Sequence, residues 1–203
     1  MVRVIGPHDP NVPGKFDLSA QYLCWTRDLH PTVLGPVPLY PTAGVKGATS
    51  VENAWQGAKV YFEHAGPDGP YLEYLPWAHR IWESKRSCRP AVGKDRFPAY
   101  VWWNGERLDY ASARKRVYAS LYARAAVKTE AFARLLRLYR LYGNITLLDE
   151  DGYDHRALGM TFRDVAECLG RRMGHAFVLA VLLERQGDKD AGTLQSGTTS
   201  SVT

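Results

Sequence analysis

Cysteine is scarce in this 203-residue chain. There are three: Cys24, Cys88 and Cys168, far apart and odd in number. That excludes a disulfide framework and the paired spacing of a zinc site, and it fits reduced thiols in a cytoplasm. Long apolar runs are missing too. No stretch approaches the ~20 uninterrupted apolar residues of a membrane span, so no membrane partner is expected. Residues 1–15 lack the apolar core of a secretory leader, so none is expected. There is no internal repeat. The excess of positive charge is small, +5, which favours anionic partners such as nucleotides or nucleic acid without specifying one. One stretch, Asp149-Glu150-Asp151-Gly152-Tyr153-Asp154-His155, has the composition of a calcium loop. The template fails, because Gly152 comes too early and Met160 stands where a bidentate Glu is needed. The stretch reads as an Asx-turn, or as an acidic turn beside a site. Neither a metal nor a cofactor is expected.

An apolar content of 45% is enough for one domain with a real core. Residues 1–30, punctuated by Pro7, Pro10 and Pro13, read as an N-terminal arm, extended or poorly ordered. Residues 31–186 read as the folded domain, α+β and mainly α-helical with short β-strands. After Gln186 the composition collapses to Gly, Ser, Thr and Asp, so residues 187–203 read as a disordered tail.

Within the domain, Val37 to Tyr40 is a proline-limited strand and a helix runs over about 50–64, stopped by the Gly/Pro turn at 65–70. A short helical or irregular segment covers 71–82. Ala99 to Trp103 is β-favouring and is followed by Asn104-Gly105, a type I′ hairpin pair. Asp109 caps a long basic helical stretch over 111–142, which Thr129 divides and Gly143-Asn144 ends. Ile145 to Leu148 is a strand, Thr161 with Asp164 boxes a helix start, and 175–184 is the most apolar helix.

The chain is organised around Ser50-Val51-Glu52-Asn53-Ala54-Trp55-Gln56-Gly57-Ala58-Lys59. On a helix, Glu52, Gln56 and Lys59 form one polar ridge beside an apolar stripe of Val51, Ala54, Trp55, Ala58 and Phe62. Such a ridge places a carboxylate and an amine at the floor of a pocket. A plainer reading stands beside it: Thr49 and Glu52 fit a capping box, with Lys59 a solvated lysine. The basic loop Ser84 to Arg96 is either a phosphate-binding surface or a solvated loop. The arginines of 111–142 spread round their helix and read mostly as a solvated face.

The ten-residue stretch resembles the signature of the YbiA/NADAR superfamily: a small residue, Val-Glu-His-Ala-Tyr-Gln, two more residues, then Lys. Asn53 replaces the usual His and Trp55 the usual Tyr. The order of later features, over about residues 35–185, is similar as well, although the tryptophan-glycine element that often follows the strand is missing. The resemblance implies an N-glycosidase on a small, mostly helical α+β fold, cleaving a ribosylated nucleotide or an ADP-ribosylated base. It implies Glu52 and Lys59 as the catalytic pair, Asp149 as a further catalytic residue, and Gln56 and Asn53 beside them. Trp55, Trp102, Trp103 and Tyr110 are candidates to sandwich the base; Arg86, Arg89, Lys94 and Arg96 are candidates for the phosphates. The chemistry is coherent, since a carboxylate near C1′ stabilises the positive charge that develops on the sugar. A lysine protonates the leaving base or, if desolvated, attacks C1′ as an amine. A second reading, carried by the basic helical stretch and the 6 Trp and 12 Tyr, is a DNA-associated protein that binds or processes modified bases.

Overall fold

The computed structural model describes residues 1–195 except Asn11, Ala20, Tyr22, Leu23 and 90–96. The chain opens with a strand, β1 (Val2–Ile5), followed by β2 (Phe16–Asp17) and a 3-10 turn at Trp25–Leu29. The strands β3 (Val37–Pro38) and β4 (Gly47–Ala48) pair antiparallel and lead into helix α1 (Val51–Gly57). Then come β5 (Lys59–Val60), α2 (Tyr74–Trp82), β6 (Tyr100–Trp103) and β7 (Glu106–Leu108). Helix α3 (Tyr110–Ala113) passes through a π-helical turn, Arg114–Tyr118, into α4 (Ala119–Ala126) and α5 (Glu130–Tyr142). The chain ends with β8 (Ile145–Leu148), α6 (Phe162–Glu167) and α7 (His175–Gln195). This is a mixed α+β domain, mainly helical.

The first strand corrects the reading of residues 1–30 as an arm. β1 and β2 flank β8 in a three-stranded parallel sheet, with Val2 opposite Ile145 and Phe16 opposite Leu147. Val2 and Val4 are wholly buried in the main core. The prolines that suggested an arm come after the strand, and four apolar-rich residues are too few for a periodic signal. The other end is corrected over 187–195, where the backbone of α7 continues as helix. Gly187 lies against the Tyr139 ring of α5, and isolated glycines inside a helix cost only about 1 kcal/mol each. Residues 196–203 lie outside the described residues.

Local signals read well elsewhere. Asn104 and Gly105 both take positive φ between β6 and β7. Thr129 caps α5, Asp109 caps α3, Gly143 ends α5 in the left-handed region, and Thr161 and Asp164 form their capping box. Asp151 N–H donates to Asp149 Oδ1, the Asx-turn geometry. Among the described residues no helix is long and apolar enough to cross a membrane.

Candidate active site

α1 is shorter than its sequence pattern suggests, and the difference shapes the site. Its apolar face, Val51 and Ala54, is fully buried. The helix stops after seven residues. The Gly57 carbonyl accepts from Tyr74 Oη (2.8 Å), and a side chain at Gly57 would strike the Trp82 indole. The chain then enters β5, where Lys59 pairs with Val101. Lys59 therefore sits on a strand, not on the helix. It nevertheless reaches back, and its Nζ donates to Gln56 Oε1 at 2.9 Å. Gln56 Nε2 donates in turn to Glu52 Oε1, also at 2.9 Å.

The capping reading of Glu52 is corrected as well. Ser50 is the N-cap, its Oγ accepting from Asn53 N–H at 3.1 Å, while Thr49 Oγ1 donates to the Ser84 carbonyl at 2.6 Å. The Glu52 amide donates to Pro31 O (2.9 Å). Its carboxylate is thus left for the interior. Glu52 Oε1 also accepts from Arg89 Nε at 3.3 Å. Among the described residues, no hydrogen bond reaches Oε2.

These groups line a cleft of about 240 Å³ together with Trp55, Tyr110, Arg114, Tyr118, Asp151, Arg172 and Met173. It lies beside the carboxyl end of β8, the central parallel strand, and the start of α7. That end of a parallel sheet is the usual place for a ligand, because backbone direction and helix N-termini converge there. Lys59, Arg89, Arg114 and Arg172 face two carboxylates, Glu52 and Asp151. Arg172 donates to Asp151 (3.0 Å). Arg114 is buried, and its guanidinium donates to the carbonyls of Cys168 and Arg171, both at 2.8 Å. Its acceptors among the described residues are neutral, so its charge adds to a positive cleft that suits an anionic ligand.

Burial acts most strongly on Lys59. Desolvation pulls its pKa from 10.5 down to about 8; Glu52 works against the shift, and Arg89 and Arg114 reinforce it. The Gln56 amide stands between amine and carboxylate. This keeps the ammonium from a direct ion pair that would restore its usual basicity. Lys59 Nζ also lies 5.1 Å from the Trp55 ring centroid.

Asp149 occupies a neighbouring position. It is buried just beyond β8, where Oδ2 accepts from Ala176 N–H (2.9 Å) at the start of α7 and lies 3.1 Å from His175 Nδ1. A side chain at Gly174 would collide with this carboxylate and force it to move. Asp149 lines a smaller chamber that adjoins the main cleft at Glu52, Arg89 and Asp151, and is not itself part of the cleft's lining.

Several expected ligand residues do other work. Asn53 is not a cleft residue. Its Nδ2 donates to Thr49 Oγ1, Ser84 O and Arg86 O, and its Oδ1 accepts from Cys88 N–H. It pins the loop that carries Arg89. Arg86 offers its carbonyl to that clamp while its side chain is exposed. Lys94 and Arg96 lie outside the described residues. Trp102 packs over Gly69 and Trp103 against Tyr40, away from the cleft, because alternation along β6 follows the sheet and not the site. Trp55 and Tyr110 do line the cleft, 5.6 Å apart; Trp55 is buried, so Tyr110 offers the accessible ring.

Arg114, Arg172 and Asp151 went unassigned from sequence. A signal existed for Arg114: Tyr110, Arg114 and Tyr118 recur every four residues, and the π-turn keeps that stripe on the cleft. Among the described residues, no group of three His, Cys, Asp or Glu side chains is placed to hold a metal. No protein-family model matches the sequence, and no curated protein matches it.

Proposed function

We propose that the chain is an N-glycosidase, a divergent relative of the YbiA/NADAR superfamily, acting on a ribosylated nucleotide or an ADP-ribosylated base. The observation that carries this reading is the buried line Glu52–Gln56–Lys59 opening into a cationic cleft. A carboxylate and an amine are held a fixed distance apart by a neutral amide. Among the described residues no hydrogen bond occupies Glu52 Oε2, and Glu52 lines the cleft.

In this reading the substrate's anionic groups lie against Arg89, Arg114 and Arg172, and its base against Tyr110. As the C1′–N bond breaks, its electron pair passes to the base nitrogen and positive charge grows on the sugar. Glu52 stabilises that charge. Lys59, with a pKa near 8, is mostly protonated at neutral pH. It is far more acidic than an ordinary lysine and gives its proton to the departing nitrogen. Water adds to C1′ and loses a proton to Glu52. The amine and the carboxylic acid then exchange protons with solvent.

Part of the exposed basic charge on the helical stretch is paired within the chain, which favours the cleft over a nucleic-acid surface. Lys115 pairs with Glu167, Arg116 with Glu106 and Arg137 with Glu130. Such pairing removes charge that a DNA backbone would otherwise meet.

The test is a panel of ribosylated nucleotides and ADP-ribosylated bases, with free base read by mass spectrometry. Wild type is expected to release base from at least one, and both Glu52→Gln and Lys59→Met to lose that release. Undiminished release by both variants contradicts the assignment.

A further inference from the structure

The small chamber beside Glu52 has a volume of about 40 Å³ and is lined by Glu52, Arg89, Asp149 and His30 among others. That is room for one or two waters with several polar partners, the condition for an ordered internal water. It shares Glu52, Arg89, Tyr118, Asp151 and Met173 with the larger cleft, so the two spaces adjoin along the Glu52 carboxylate.

His30 is unusually well fixed there. The preceding carbonyl, Leu29 O, accepts from buried Tyr122 Oη at 2.8 Å. The following carbonyl, Pro31 O, accepts from the amide of Glu52 itself (2.9 Å), which locks the His30 turn to the first turn of α1. His30 Nδ1 accepts from Thr32 N–H at 3.3 Å and lies 2.7 Å from Thr32 Oγ1. With Nδ1 serving as an acceptor, the neutral ring carries its hydrogen on Nε2, the edge left for the chamber. The ring plane is set by His175, packed edge-on at 5.0 Å and itself held beside Asp149.

We propose that the chamber holds the hydrolytic water, that His30 Nε2–H donates to that water's oxygen, and that Asp149 and His175 are positioning residues which fix the His30 ring. The proposal rests on the N-glycosidase reading. The water gives one proton to Glu52 and its oxygen bonds to C1′, while the C1′–N electron pair leaves with the base and takes the Lys59 proton. Burial, then His175, and more weakly Arg89 and Arg27, hold His30 down to about 4 against the opposing pull of Asp149, so it stays neutral and keeps this donor pattern through the neutral range.

Two measurements on the full chain decide it. A high-resolution crystal structure is expected to show a water bonded to both His30 Nε2 and the Glu52 carboxylate; a chamber without that water overturns the proposal, whatever the activity. In kinetics with a substrate found by the base-release panel, His30→Leu is expected to lower kcat by about a hundredfold with KM unchanged. His30→Gln, which keeps an N–H donor at the Nε2 position, should recover most of that loss. Full kcat in His30→Leu, or a loss that His30→Gln does not recover, overturns it. A wild-type chain that releases no base from any substrate sinks the N-glycosidase reading instead, and the crystal structure then still reports on the water site.

Discussion

The two polar faces of α1 are built from the same kinds of side chain and do opposite things. Asn53 is buried with both ends of its amide bonded, three acceptors on Nδ2 and one donor on Oδ1. Glu52, one residue earlier and also buried, lines the cleft, and among the described residues only its Oε1 is hydrogen-bonded. A fully satisfied buried amide holds structure together; a half-satisfied buried carboxylate stores interactions for a ligand. Lys59 belongs with Glu52. It is a buried amine with one protein acceptor, Gln56, and a depressed pKa. The difference teaches that burial alone does not mark function, but burial with unused bonding capacity beside a cleft does.

The sharpest way to break this comparison is to neutralise each face separately. Glu52→Gln should lower base release by about a thousandfold or more, since it removes the charge opposite the developing cation, while the melting temperature changes little. Asn53→Ala should do the reverse. Leaving the Cys88 N–H without its acceptor, and taking one of two donors from each of the Ser84 and Arg86 carbonyls, costs the fold about 1–3 kcal/mol, with activity per folded molecule largely kept. Chemical denaturation read beside base release separates the two. A Glu52→Gln variant that unfolds, or an Asn53→Ala variant that is stable and inactive, reverses the assignment of the faces.

Lys59→Met comes next. Activity is expected to fall by about a hundredfold, and stability to rise at pH 7. The sign follows from the depressed pKa. The folded chain holds the Lys59 proton more weakly than the unfolded chain, so the amine destabilises the fold fully below about pH 8. That cost fades as pH rises to 10.5, the ordinary value, and the advantage of Met should vanish there. Thermal melts at pH 7 and pH 10 check this. The smallest effect belongs to Arg89→Gln. Its side chain is 66% exposed beside Glu52, so solvent weakens the pairing and KM should rise only several-fold.

How much of this could be read from residues alone varies with range in sequence. Turn and cap signals acted within four residues and were legible: Asn104-Gly105, Thr129, Gly143, and Thr161 with Asp164. The Glu52, Gln56 and Lys59 grouping was legible in its contacts but not in its backbone, because the stop after Gly57 is imposed by Tyr74 and Trp82 from α2. The role of Asn53 was hidden for the same reason, since its partners lie at Ser84, Arg86 and Cys88. His30 and Arg172 join the site through partners distant in sequence, which no local pattern encodes: His30 through Glu52, by way of Pro31, and Arg172 through Asp151. Arg114 alone of the three carried a local signal, in its four-residue recurrence with Tyr110 and Tyr118. Trp102 and Trp103 misled because aromatic residues mark cores more often than ligands.

Whether Lys59 acts as a buried acid of altered strength beside the Glu52 carboxylate is read from the pH dependence of kcat/KM for base release. The alkaline limb is expected to fall through a midpoint near pH 8, as Lys59 loses its proton. Release that continues undiminished to pH 10 would contradict it.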